Sequence, residues 1–96
     1  MAFEWDAAKN AANIAKHGID FEDAIRIFDG LVLEKLDARR DYGEARVIAF
    51  GMVDDHELAV VYTIRGDYRR IISARRAHSR ECKAYRQAFP KQPPPR

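Results

Sequence analysis

Arginine is concentrated in one part of this chain, in a pattern that suits phosphate binding. In the segment RRIISARRA, from Arg69 to Ala77, two arginine pairs flank four apolar or small residues. The planar guanidinium group matches the geometry of a phosphate better than the ammonium group of lysine does. Residues 65–86 contain eight basic side chains, seven of them arginine: Arg65, Arg69, Arg70, Arg75, Arg76, Arg80, Lys83 and Arg86. The pattern predicts an anionic partner such as nucleic acid, although a solvated basic face would have the same composition.

The net charge of +2 conceals a division of charge along the chain. Residues 1–57 contain 13 acidic and 7 basic residues, a balance of −6, whereas residues 58–96 contain 2 and 10, a balance of +8. The basic half is therefore the part that we expect to meet an anionic partner.

Glu81 and Tyr85 are predicted to lie on the side of the last helix that faces the arginine-rich strand. Glu81 follows Ala77 by four residues and precedes Tyr85 by four, and residues at this spacing share one helical face. Glu81 could be a structural ion-pair partner of Arg75 or Arg69, or a general base or acid beside a bound phosphate. Tyr85 could be a core aromatic residue, or it could stack on a base or assist proton transfer.

Metal-independent cleavage of RNA would use these residue types. The 2′-hydroxyl must lose a proton and attack the neighbouring phosphorus, the developing charge needs cations, and the leaving 5′-oxygen needs a proton. His17, at a predicted helix end, is typical of a capping residue, whereas His78 could be a proton carrier or simply exposed. No pair of histidines has metal-ligand spacing and Cys82 is the only cysteine, so neither a metal nor another cofactor is predicted.

The elements that must position these residues are predicted from periodicity and from capping residues. Residues 6–18 and 20–30 are predicted to form two helices, each starting at an aspartate and ending at a glycine. Segments rich in β-branched and aromatic residues predict four strands, at 31–37, 45–53, 57–64 and 68–75. The short connections favour an antiparallel sheet with one face covered by helix, and a last helix from Ala77 is expected to bury Ala84, Tyr85, Ala88 and Phe89. The fold class is therefore α+β, in the order helix, helix, four strands, helix.

Length and composition predict one domain over residues 1–89 and an extended, mobile Pro-rich tail over 90–96. A single cysteine fits a reducing compartment. No apolar run approaches the roughly 18 residues of a membrane span, and the N-terminus has no signal-peptide pattern. These features predict a soluble, cytoplasmic protein.

Two long segments of the chain resemble the BrnT family of toxins from bacterial type II toxin–antitoxin systems. They are FEWDAAKNAANIAKHGIDFEDAIRIF and VVYTIRGDYRRIISARRAHSRECKAY. The shared features are an EWD…K…N…KHG…F…A…F opening, Gly51 in the second predicted strand, a Y-T-x-R strand end and an R-I-I-S-A-R-x-A…E…Y close. They occur in order over about residues 3–86.

The resemblance implies a RelE-like fold and a ribonuclease that halts translation. It also implies neutralisation by a cognate antitoxin with a ribbon-helix-helix DNA-binding domain, in a heterotetramer that contacts operator DNA only through the antitoxin. Arg65 matches the Y-T-x-R arginine and Arg75 the S-A-R arginine. The closing acid and tyrosine correspond to Glu81 and Tyr85, and the KHG pair to Lys16 and His17.

Our leading hypothesis is a metal-independent endoribonuclease toxin. Arg65 and Arg75 are expected to bind the scissile phosphate, Glu81 to act as general base, and Tyr85 to stack on a base or assist proton transfer. The residues expected to contact RNA beyond these are Lys16, His17, Arg69, Arg70, Arg76 and Arg80. The rival hypothesis is a non-catalytic module whose basic face only binds nucleic acid or an acidic protein.

Overall fold

Helices cover both faces of a five-stranded sheet in the computed structural model, which describes residues 2–90. The strands are β1 (Ala2–Glu4), β2 (Leu33–Leu36), β3 (Val47–Val53), β4 (His56–Arg65) and β5 (Tyr68–Arg76). The helices are α1 (Ala7–His17), α2 (Phe21–Ala24), a 3₁₀ helix (Ile25–Asp29) that continues α2, and α3 (Ser79–Ala88). The α+β class is confirmed. Residues 91–96, most of the predicted tail, lie outside the described residues.

The sheet differs in detail from the predicted antiparallel meander. The strand order is β1-β5-β4-β3-β2, and β1 pairs with β5 in parallel while the other neighbours are antiparallel. The prediction of four strands is wrong because residues 2–4 form a strand by pairing with the free edge of β5. The ring of Phe3 packs against that of Phe28, with 5.3 Å between centroids.

The predicted capping residues begin and end α1 and begin α2. The Asp6 carboxylate accepts a hydrogen bond from the Lys9 N–H at 3.0 Å, and Gly18 ends α1 in the left-handed conformation at φ +71°. The Asp20 carboxylate accepts one from the Glu22 N–H at 2.9 Å. The predicted second helix is not continuous, because α-helix gives way to the 3₁₀ helix at Ile25.

Alternate residues of the central strands face two different groups of helices. Ala49 and Val53 of β3 pack with Phe21 and Ile27 on the face covered by α1, α2 and the 3₁₀ helix, which we call the N-helix face. Ile48 and Phe50 of β3 pack with Tyr85 on the other face, which we call the α3 face. Gly51 allows close approach on the N-helix face, since a Cβ atom built there would lie 2.7 Å from the Ile27 Cβ.

Both hairpins of the central strands have two-residue turns. Val53 pairs with His56 across the first turn, and Arg65 pairs with Tyr68 across the second, where Gly66 has φ +60°. These turns fix the register that the sequence alone leaves open.

A β-bulge interrupts the pairing of β4 with β5. Tyr62 lies opposite Ile71 and Val61 lies opposite Ser73, so Ile72 is an additional residue in β5. Ile71 and Ala74 are consequently both buried on the N-helix face, three residues apart instead of two.

Helix α3 packs through a different stripe from the predicted one. Ala84 and Ala88 are exposed, whereas Tyr85 is buried and Phe89 is half-buried. The stripe is completed by Glu81 and Cys82, both half-buried, because residues at i, i+1, i+4 and i+8 share one side of a helix. Within residues 2–90, no helix has the length and apolar character needed to cross a membrane.

Candidate functional site

Arg75 and Glu81 form a bidentate ion pair between the end of β5 and the first turn of α3. Arg75 Nη1 lies 2.7 Å from Glu81 Oε1, and Nη2 lies 2.9 Å from Oε2. Both side chains are half-buried, with 20% and 18% of their surface exposed. The ion pair predicted as one of two alternatives for Glu81 is therefore present, and it lies on the α3 face because Arg75 is opposite Ala59.

The start of α3 adds further contacts to the Glu81 carboxylate. The backbone N–H of His78 donates to Glu81 Oε1 at 2.7 Å, and His78 Nδ1 lies 3.6 Å from the same oxygen. Hydrogen bonds from Arg75, reinforced by the His78 N–H, lower the pKa of Glu81 to about 2, against a partial desolvation that acts to raise it. Glu81 is thus a carboxylate at neutral pH and, while paired, a weak base.

Tyr85, one helical turn after Glu81, is a core residue of the α3 face. Its side chain is 2% exposed, its ring packs against Phe89 with 5.2 Å between centroids, and its hydroxyl donates to the Leu31 carbonyl at 2.8 Å. In this conformation the ring has no free face for a nucleobase. Its proposed part in proton transfer or base stacking stays a prediction.

Arg65 is not brought together with Arg75. It pairs with Tyr68 at the hairpin turn, seven residues before Arg75 along β5, which corresponds to roughly 20 Å of strand. Its guanidinium is half exposed and lies 3.5 Å from the Glu44 carboxylate. The two arginines expected to share one phosphate thus lie at opposite ends of the sheet.

Arg69 and Arg70 both contact other side chains of the fold. The Arg69 guanidinium stacks over the ring of Phe28 at 4.2 Å and lies 5.3 Å from that of Tyr62. Arg70 forms an ion pair with Glu4 across the β1–β5 pairing. RNA contact by either residue stays a prediction, and it would compete with these contacts.

The remaining predicted RNA-binding residues fall into two places. His17 and Arg76 line one cleft between α1 and the end of the sheet, and Lys16 is exposed beside His17 at the end of α1. Arg80 is exposed in the first turn of α3, next to Glu81. Arg75 and Arg76 are neighbours in sequence but point to opposite faces of the sheet.

Three further residues at these places were not among the predicted ones. His56 lines the cleft with His17, and Lys35 lies on the α3 face with its ammonium 5.7 Å from the centre of the Phe50 ring. The third is Asn13, which is buried and binds both backbone groups of Ala74 next to Arg75. Strand alternation could have assigned Lys35 to the face of Ile48, but the positions of His56 and Asn13 depend on contacts distant in sequence.

The arrangement on the α3 face is suited to binding a phosphodiester. A half-buried guanidinium, an adjacent carboxylate and an exposed imidazole lie at one end of the sheet. Among residues 2–90, no three His, Cys, Asp or Glu side chains are grouped so that they could hold a metal ion.

Comparisons with known proteins identify the family. The chain matches no curated protein sequence. Residues 5–81 match the family model described as "Ribonuclease toxin, BrnT, of type II toxin-antitoxin system", and the matched range includes α1, the whole β2–β5 sheet and the Arg75–Glu81 pair. The chain therefore belongs to the BrnT family of ribonuclease toxins, whose type II systems imply a cognate antitoxin as partner.

Proposed function

We propose that this chain is a metal-independent endoribonuclease toxin that cleaves RNA in the cytoplasm and thereby inhibits translation. The single observation that carries the proposal beyond family membership is the half-buried Arg75–Glu81 pair with His78 at its open side. A guanidinium that already binds a carboxylate through two hydrogen bonds has the geometry to bind two oxygens of a phosphodiester.

Because Glu81 is paired with Arg75, we expect its strength as a base to change when RNA binds. When the scissile phosphate takes the guanidinium of Arg75, Glu81 loses the hydrogen bonds that are the main cause of its lowered pKa. The pKa of the carboxylate then rises toward its ordinary value, and Glu81 becomes a stronger base in the presence of RNA than in its absence.

The cleavage step is an attack of the 2′-oxygen on the adjacent phosphorus. Glu81 takes the 2′-hydroxyl proton, the new O–P bond forms, and the bond from phosphorus to the 5′-oxygen breaks. Arg75 would stabilise the charge on the non-bridging oxygens, and the exposed side chain of His78 is the proposed proton donor to the leaving oxygen. The products are a 2′,3′-cyclic phosphate and a 5′-hydroxyl end.

Residues away from the pair would guide the RNA backbone. Lys35 and Arg65 extend the cationic α3 face, and Arg80 lies beside the pair on α3. Arg69 and Arg70 contribute positive potential while keeping their contacts within the fold. These interactions would make RNA binding weaken as salt rises.

The antitoxin is proposed to carry a ribbon-helix-helix DNA-binding domain and to form a heterotetramer with the toxin. An antitoxin segment that presents acidic side chains to Arg75 and Lys35 would exclude RNA from the α3 face. Contact with operator DNA would then pass through the antitoxin only. Co-expression of the gene adjacent to this one should relieve growth arrest, and growth arrest that persists would contradict this pairing.

The test of the proposed function is cleavage of a defined RNA by the purified chain in EDTA. Arg75→Ala and Glu81→Gln are expected to lower the cleavage rate at least about 100-fold, the range of a general base or a charge-stabilising group. Arg40→Ala is the matched control, because Arg40 is an exposed arginine in the loop between β2 and β3, at the other end of the sheet.

Three outcomes separate the hypotheses. Cleavage lost in both site variants and kept in Arg40→Ala supports the Arg75–Glu81 site. Normal cleavage by folded Arg75→Ala and Glu81→Gln removes that site. Salt-sensitive RNA binding without any product would favour the rival hypothesis of a non-catalytic binding module.

A further inference from the structure

A second charged cleft lies on the opposite side of the sheet from the Arg75–Glu81 pair. Its volume is about 370 Å³, and it lies between the C-terminal end of α1, the β3–β4 turn and the last residue of β5. The polar side chains that line it are His17, Asp23, Asp54, His56 and Arg76. This volume lies at the lower end of the ~300–1,000 Å³ of ligand clefts, enough for a small unit of a polymer.

The two carboxylates that line the cleft are balanced by arginines. Asp54 is neutralised from outside by Arg26, whose guanidinium donates to both carboxylate oxygens at 3.1 and 3.0 Å. Arg76 and Asp23 then balance each other. Beside these charges the cleft holds two imidazoles, those of His17 and His56, whose ring nitrogens can hydrogen-bond to an anion together with the Arg76 guanidinium.

The remaining walls of the cleft are apolar. Ile19, Val53 and Leu58 line it, from the α1–α2 connection, β3 and β4. Apolar surface beside a cationic group suits a ligand with a flat apolar part and an anionic part. A nucleotide unit, with its base and its phosphate, has both.

The geometry points to a nucleotide subsite in this cleft, in which His17, His56 and Arg76 hold a phosphate of the same RNA strand whose scissile phosphate is bound at Arg75. The inference rests on the proposed function. Arg75 and Arg76 are consecutive in β5 and face opposite sides of the sheet, so a strand that reaches both passes around the end of β5.

The groups that face the two imidazoles of the cleft are charged and come from several elements. At the cleft the facing groups are Asp23 from α2, Asp54 from the turn with its partner Arg26, and Arg76 from β5. Of these groups, Arg76 is the one that can bind a phosphate together with the imidazoles.

The test is NMR titration of the histidine ring protons with adenosine 3′-monophosphate, without any requirement for cleavage. His17→Gln and His56→Gln assign the two ring signals. Both signals should shift and saturate together at one fixed pH, because a single phosphate is bound by both rings. Arg76→Ala should weaken binding at least about 5-fold, as loss of a charge-assisted contact predicts.

Matched probes and variants identify what is recognised. Inorganic phosphate should bind more weakly than the nucleotide, and adenosine should bind more weakly than either. Arg75→Ala and His78→Gln are the controls, because both change the other site and should leave the His17 and His56 shifts unaltered. Arg76 is exposed, so its replacement tests the cleft without disturbing the core.

The outcomes for the cleft and for the nuclease are independent. Unmoved His17 and His56 signals, or adenosine binding as tightly as its phosphate, would overturn the subsite even in a chain that cleaves RNA. Saturable shifts of both signals would support the subsite even if no cleavage occurs, in which case only the proposed function fails.

Discussion

Replacing Glu81 by glutamine should remove a pH-dependent part of the stability of the fold. Glutamine keeps the size of the side chain and can still accept hydrogen bonds from Arg75 and the His78 N–H, but it has no charge to titrate. The comparison of wild type with Glu81→Gln therefore isolates the free energy that comes from ionisation of this one carboxyl group.

The magnitude follows from the pKa of Glu81, which falls from an ordinary 4.5 to about 2 in the folded chain. A carboxyl group with a lowered folded pKa stabilises the fold above its unfolded pKa, and this contribution is lost as pH falls toward the folded value. A difference of about 2.5 units corresponds to about 3 kcal/mol at neutral pH. About 1.4 kcal/mol of this is lost by pH ~3.5, and most of the rest by pH ~2.

The assay is urea unfolding of wild type and Glu81→Gln at about pH 6 and about pH 3.5. The stability advantage of wild type over the variant should shrink by about 1.4 kcal/mol between the two pH values. Glu22→Gln, the same substitution at an exposed glutamate of α2, is the control and should show little change in its difference from wild type. An advantage over Glu81→Gln that stays constant between the two pH values would refute the ion-pair reasoning, and with it the substrate-dependent base strength.

Three further substitutions test how the fold positions the site. Gly51→Ala places a Cβ atom 2.7 Å from the Ile27 Cβ and should lower the free energy of unfolding by about 1–3 kcal/mol in urea titrations. An unchanged midpoint of urea unfolding would contradict the close approach of β3 to the 3₁₀ helix. Asn13→Ala removes the side chain that binds both backbone groups of Ala74 and should lower the free energy of unfolding by about 2–4 kcal/mol in the same assay. An unchanged free energy of unfolding would contradict the anchoring of α1 on β5. Arg69→Lys keeps the charge but loses the planar stacking on aromatic rings, so the free energy of unfolding should fall by about 1 kcal/mol while the affinity for RNA is unchanged. Weaker RNA binding with unchanged stability would instead make Arg69 an RNA contact.

Features with a local cause could be predicted from the sequence. Asp6, Asp20 and Gly18 cap helices through bonds to residues at most four positions away, so their effect is readable in the chain itself. The four central segments likewise formed strands, because β-branched residues favour a pleated, half-buried surface wherever they pair. Only β1 was missed, since its three residues gain strand structure from an edge that lies about 65 positions further along the chain.

The roles of the arginines in the candidate site also depend on contacts that are distant in sequence. Four arginines of β5 have similar sequence surroundings, yet each has a different role in the structure. Arg69 stacks on aromatic rings, Arg70 pairs with Glu4, Arg75 pairs with Glu81, and Arg76 lines the cleft. Register and face decide among these roles, and both depend on pairing with β4 and β1.

The bulge at Ile72 determines which arginine meets α3. Side chains alternate between the two faces of a strand. An additional residue interrupts this alternation, so every residue after it faces the side opposite to the one that strict alternation would give. With Arg69 on the N-helix face, strict alternation would place Arg75 on that face as well and Arg76 opposite Glu81. The additional Ile72 reverses this, so that Arg75 reaches the carboxylate while Arg76 lines the cleft that also contains His17. One inserted residue thus allows a single strand to stack Arg69 on aromatic rings and still present a cation to each of the two proposed phosphate sites.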